Sequence, residues 1–314
     1  MNSNDRLHYN HIRSGGTGFF RQDRGLIAVS GGEAVQFLDG LISNDVKKLE
    51  DGAQMLAAFP DAKGRLNGLV RVVRQGDKFL FETEEATRER IFDNLARFTM
   101  AGDFSVEDLT GNYGFIRVFD RSFIPITPPF VEFDMRYGTD YFVHVEDVDD
   151  FLGELRYLDA AEISPELFEV MRIEYGIPAY GVDMDETTIV PELNLDGLIS
   201  YNKGCYIGQE IIARIHFRGH VAKKLTGLKF AASDGDAASL TEKELLTSDG
   251  KNAGRLTSIT ISPALEKVVA LGYVRYDYLE KGTKLVAGEY EVIQSKDGRN
   301  VHADFDHGQR RRGV

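Results

Sequence analysis

The sequence predicts an α+β fold up to about residue 220 and a separate, mostly β domain after it. Three observations lead there. Apolar strand-like runs alternate with amphipathic helices to about residue 158, and the connections are short enough for antiparallel hairpins. A strongly signalled helix follows over 163–176. Beyond 221, short strands recur between turns and helix signals fade, as in a small barrel.

The elements follow in order. Residues 1–24 are polar and glycine-containing, with weak structural signals. Gly25 to Ser30 is a short apolar run suited to a buried strand. Ser30-Gly-Gly-Glu33 has the spacing of a capping box, and Ala34, Phe37, Leu38 and Leu41 then recur at helical spacing. That helix is expected to end between Gly40 and Ser43. Ala53 to Phe59 and Leu66 to Val73 read as strands joined by the turn Pro60-Asp61-Ala62-Lys63-Gly64. Lys78 to Glu82 is a third strand, and Thr87 to Phe98 a helix with Ile91, Leu95 and Phe98 on one face. In the 163–176 helix, Ser164 is a natural N-cap, Pro165 occupies the first helical position, and Gly176 and Pro178 stop it. Leu167, Val170 and Met171 form its apolar stripe, and Glu174 falls in the middle of it. A carboxylate there needs a partner or a cavity. Later turns are expected at 248–251 and 296–299, and the tail 309–314 reads as disordered.

Composition narrows the function. At 314 residues the chain suits about two domains. A net charge of −13 repels a phosphate backbone over most of the surface, which disfavours general nucleic-acid binding unless a local basic patch reverses it. Cys205 is the single cysteine, so no intramolecular disulfide can form. Residues 1–5 lack the cationic start of a signal peptide, and no apolar stretch is long enough to span a bilayer. The expectation is a cytoplasmic protein with no membrane partner.

The densest unusual stretch runs from Tyr201 to Arg214. Gly204 and Gly208 bracket Cys205, which allows close approach of backbone to a ligand. A helix is expected from Gln209, its positive end towards Cys205. From 201 to 224 five cations (Lys203, Arg214, Arg218, Lys223, Lys224) stand against Glu210 alone, a local charge of +4, with His216 and His220 beside them. Such a patch attracts anions and favours a thiolate. Composition alone leaves a second reading open: a solvated basic face beside an inert cysteine.

Lys203-Gly-Cys-Tyr-Ile-Gly-Gln-Glu210 resembles the signature of YgfZ-type folate-binding proteins, relatives of the glycine-cleavage T-protein. Other segments are similar in the same order: Phe37 to Val46 with its Asn44-Asp45 turn, Leu56 to Arg65, Arg172 to Pro178 with Gly181-Val182-Asp183, and Gly254 to Ser258. The resemblance covers residues about 25 to 290. It implies a ring of ferredoxin-like α+β subdomains around a central channel that holds tetrahydrofolate or a derivative, plus a C-terminal β-barrel. The corresponding domains are 1–220 and 221–308. It implies Glu174 as the acceptor of the pterin amine and ring N–H, and Lys203 and Arg214 as partners of the anionic glutamate tail. Gln209 belongs to the same cofactor-binding set. Asn44 and Asp45 fall near the channel, where a turn or helix-cap role suits them equally.

One departure is informative. Where aminomethyltransferases carry acidic residues after the turn matching Gly64-Arg65, this chain has Asn67 and Gly68, which cannot accept a proton. The resemblance therefore implies a folate-binding accessory protein for iron–sulfur cluster assembly or repair, with iron–sulfur enzymes or assembly proteins as partners and Cys205 as the reactive thiol. An active aminomethyltransferase or demethylase and a non-catalytic scaffold are the alternatives.

Overall fold

The computed structural model describes residues 1–119, 123–231, 238, 240, 244–280 and 283–295. The expected turn at 296–299 and the tail at 309–314 lie outside them. The chain forms two compact units, one of residues 1–167 with 196–213, the other of 168–195 with 214–314.

The first unit contains α1 (Ser3–Arg13), β1 (Gly18–Gln22), β2 (Arg24–Ser30), α2 (Ala34–Asp39), β3 (Gln54–Pro60), β4 (Leu66–Gln75), β5 (Lys78–Glu84), α3 (Glu85–Ala96), β6 (Ser105–Asp108), β7 (Tyr113–Val118), β8 (Val131–Met135), β9 (Gly138–His144), α4 (Val148–Tyr157) and β10 (Ala161–Glu162). They form two five-stranded sheets, ordered β3-β4-β5-β2-β6 and β10-β1-β7-β9-β8. The pairings are antiparallel except for β1 with β10.

Strand alternation sorts the side chains. Ile27, Val29, Val70, Val72, Phe79 and Phe81 meet Leu38, Ile91 and Leu95 of α2 and α3 in one core. Ile116, Val118, Tyr141 and Val143 meet Phe151, Leu152 and Leu155 of α4 in another. The opposite faces pack on each other through Leu26, Ala28, Val73 and Leu80 against Phe115, Phe133 and Phe142. The same sheet-to-sheet interface carries a buried ionic chain. Glu82 takes both Arg24 and Arg71, and Arg71 reaches Asp140, which Arg117 clamps with two bonds of 2.7 and 2.8 Å. Each strand contributes one charge to this chain, so the pairing is set by the sheet packing.

Two local expectations are corrected. Residues 1–24 are not weakly structured: they hold α1 and β1. Asn2 caps α1 by accepting the Asp5 N–H, and buried Asp5 accepts the Ser164 hydroxyl at 2.8 Å, a contact invisible in a polar local sequence. The Ser30–Glu33 capping box does not form. Ser30 ends β2, and Glu33 instead accepts the Asp103 N–H. The 163–176 helix is α5 (Pro165–Glu174), with the Ser164 hydroxyl accepting the Leu167 N–H. Gly176 ends it at φ +69°, and the Ile177 N–H returns to the Arg172 carbonyl.

In the second unit β11 (Lys223–Phe230), β12 (Glu244–Thr247), β13 (Asn252–Ser262), β14 (Lys267–Arg275), β15 (Leu285–Ala287) and β16 (Tyr290–Gln294) close a barrel in the order β11-β14-β13-β12-β15-β16. The expected hairpin turn at 248–251 joins β12 to β13, with Gly250 at φ +79°. Leu228, Phe230, Leu245, Leu256, Val274 and Val292 fill its interior. The fold is thus α+β with a closed six-stranded C-terminal barrel.

Candidate functional site

Three of the expected site residues share one structure in the first unit. The 197–208 loop is stitched to the turn after α2. Ser43 donates its hydroxyl to the Leu198 carbonyl at 2.6 Å and accepts the Ala58 N–H, and the Ser200 N–H returns to the Ser43 carbonyl. Asn44 donates its two amide hydrogens to the carbonyls of Leu56 and Gly197, and its side-chain oxygen accepts the Asp45 N–H. The Lys203 ammonium lies wholly inside. It donates to the carbonyls of Asp39, Ile42 and Asn44 at 2.7, 2.8 and 2.8 Å. Asp39 Oδ1 is 3.3 Å away, and the Tyr206 ring centroid 4.9 Å. Burial pushes the Lys203 pKa down, opposed by Asp39, and burial pushes Tyr206 up to about 12.

This corrects the expectation for Lys203. An ammonium has three donors, and all three are taken by carbonyls. Lys203 is the pin of the Cys205 loop, not a partner for a folate tail. Asn44 is equally committed and shapes the turn. A turn role was open to Asn44 from the sequence; the role of Lys203 was not, and Asp39 and Ser43 were not singled out, because Lys203 and Leu198 lie far along the chain from them.

Asp45 differs. Its Oδ2 pairs with Lys48 at 2.9 Å, and that bond holds its carboxyl below the usual range. Its Oδ1 is buried without a hydrogen-bond partner, an acceptor open to a ligand donor or a water. Cys205 is free and exposed at the crest of the pinned loop. Helix α6 (Gln209–Arg218) begins four residues later, with Gln209 half-buried at its first position. Gly208 precedes it at φ +82°, and a Cβ there would lie 2.4 Å from the Asp61 carbonyl oxygen. Only glycine fits. The turn leading to β4 thereby packs beside the start of α6.

On β4, Gly68 faces α3: a Cβ would meet Ile91 at 2.9 Å and Thr87 at 3.1 Å. An acid has no room there, so the catalytic question rests on position 67, which holds Asn67.

In the second unit Glu174 ends α5 and is fully buried. Arg172 donates to Glu169 from Nε and Nη2, to Ser258 from Nη2, and to Asp183 and the Ile177 carbonyl from Nη1. Its five N–H groups are spent. Asp183 also accepts the hydroxyls of Thr257 and Ser258, and its carbonyl accepts that of Tyr273. Arg214 lies exposed on α6. Among the described residues no cluster of His, Cys, Asp or Glu is arranged to hold a metal ion, and no helix is long and apolar enough to cross a membrane.

An α+β chain with a closed C-terminal barrel has counterparts among known proteins. The glycine cleavage T-protein C-terminal barrel domain matches residues 223–292. The aminomethyltransferase T of the Bartonella henselae glycine cleavage system superposes with a TM-score of 0.75 over 88% of this chain and 84% of that one, at 18% identity, a likeness of fold. An iron–sulfur cluster assembly factor IBA57 homolog of Mycosarcoma maydis is 26% identical over 66% of this chain and 55% of its own length. A tRNA-modifying protein YgfZ of Klebsiella pneumoniae is 29% identical over 67% of this chain and 71% of its own. The chain thus spans about half of the first relative and under three quarters of the second. It is similar to YgfZ-type proteins, and its barrel to that of the glycine-cleavage T-protein.

Proposed function

We propose that this chain is a tetrahydrofolate-binding accessory protein that supports iron–sulfur cluster assembly or repair in client enzymes. The observation that carries the reading is the exposed Cys205 held on a loop locked by the buried Lys203. The similarity to the IBA57 homolog, named as an iron–sulfur cluster assembly factor, points the same way.

The residues suit a folate. Glu174 is a fully buried carboxylate on the apolar face of α5, and a carboxylate can accept the pterin amine and ring N–H as a pair. Arg214 suits the anionic tail, and Gln209 remains in the proposed set. Bound tetrahydrofolate would supply a carrier for one-carbon units. The chain's own contribution to cluster chemistry is one thiolate from Cys205. Because cluster sites normally need four ligands, His216 or a partner chain would have to supply the others. Aminomethyl transfer is the weaker reading, since Asn67 offers no proton acceptor and position 68 has no space for one.

Anaerobic calorimetry with tetrahydrofolate tests the ligand. We expect saturable micromolar binding, about −8 kcal/mol. Absence of binding at millimolar ligand would leave a scaffold. Cys205→Ser is expected to keep folate affinity and to lose rescue of cells defective in cluster enzymes. Full rescue by the serine variant would remove Cys205 from the mechanism.

A further inference from the structure

The exposed end of α6 combines cations with aromatic rings, on a chain whose overall charge is −13. From Arg214 to Lys224 there are four cations and no carboxylate. Phe217 is 68% exposed, with Arg218 beside it at the helix end. Two residues on, His220 stacks on Tyr276 with centroids 3.5 Å apart and planes at 7°. Both rings are exposed. Tyr276 follows Arg275, and the β11–β14 register sets Arg275 directly opposite Lys223. Like charges facing each other across a ladder are unfavourable unless an anion lies between them. Lys223 has Glu192 at 3.8 Å, whereas Arg218 and Arg275 have no carboxylate within ion-pair distance among the described residues. All these residues belong to one compact unit.

We infer that this strip is a binding surface for single-stranded RNA, with phosphates on Arg218 and Arg275 and unstacked bases on Phe217 and on the His220–Tyr276 pair. The rings decide the partner. An acidic peptide or an anionic lipid surface would satisfy the arginines, but a single strand alone repeats a phosphate and a flat π-face at every step, as the alternating cations and rings of the strip do. The patch is local, so it is compatible with a chain that repels nucleic acid elsewhere.

The test is fluorescence anisotropy of the full chain with a labelled oligouridylate. Circular dichroism melts would confirm that each variant folds. We expect saturable binding at low salt. Phe217→Ala and Tyr276→Ala should each weaken it about tenfold, while Phe217→Trp retains it. Arg218→Gln and Arg275→Gln should each reduce the slope of log affinity against log salt by about 0.7. Arg214 stays unaltered, and folate affinity measured on the same variants should not change. Three results would overturn the inference: no saturable binding at low salt, ring variants that bind as well as the parent, or competition by polyglutamate or phosphatidylglycerol vesicles as effective as that by unlabelled RNA.

Discussion

Lys203 shows how a residue in a recognisable motif can work differently from its outward chemistry. In the sequence it is one cation of a basic stretch, and an anionic ligand is the natural partner. In the structure its charge is consumed by three backbone carbonyls that α2 and the following turn leave without donors. Lys203→Met keeps the apolar stem and removes the donors. It should cost about 3 kcal/mol or more, because three buried carbonyls lose their partner together. The lost bonds would also free the Cys205 loop. Urea denaturation and hydrogen exchange of residues 197–208 read both effects, and parent-like stability would show that the carbonyls find other donors at little cost. Glu174 was legible as a buried carboxylate from helical spacing alone, since Leu167, Val170 and Met171 define the face it shares. Lys203 was not, because its partners lie 159 to 164 residues away.

Elements with a local cause were the ones read correctly. Ser164, Pro165 and Gly176 bound α5 through capping and backbone conformation, which act within a few residues. The barrel strands also carried their own turns. Helix α1 was missed because its anchor is the bond from Ser164 to buried Asp5, and the Ser30–Glu33 pattern misled because β2 pairing extends through Ser30. Gly208 is an element boundary whose requirement is both conformational and steric, and Gly52 separates the two. Gly52 has φ +74° with nothing near its missing Cβ, whereas Gly208 has φ +82° and the Asp61 carbonyl at 2.4 Å. Gly52→Ala should cost about 1 kcal/mol, the price of left-handed backbone for alanine. Gly208→Ala should cost clearly more, since the Pro60–Arg65 turn must also shift. Urea midpoints of the two variants give the comparison, and equal losses would mean that the turn yields freely.

At the scale of the molecule, the first unit is two sheets whose shared interface is apolar at one part and ionic at another. Arg24, Arg71, Glu82, Arg117 and Asp140 are charged positions within largely apolar strands, and their pairing is not legible locally. They form the Arg24–Glu82–Arg71–Asp140–Arg117 chain between the sheets. This gives the fold a defined response to acid. Arg24 and Arg71 outweigh the effect of burial and hold the Glu82 carboxyl down at about 2, against 4.5 for an ordinary glutamate. Asp140 is lowered in the same way by Arg117 and Arg71. A depressed carboxylate stabilises the fold above its unfolded pKa. For Glu82 that contribution is complete above about pH 4.5 and is lost as pH falls towards 2. Glu82→Gln keeps the shape but leaves Arg24 and Arg71 short of a counter-charge, which at pH 7 should cost about 3 kcal/mol. The deficit relative to the parent should shrink below pH 4.5, where the parent alone loses the charge term. Urea titrations followed by far-ultraviolet circular dichroism, at neutral pH and stepwise down to pH 3, measure it. A deficit constant with pH would assign the loss to packing and leave the ionic chain electrostatically neutral for stability.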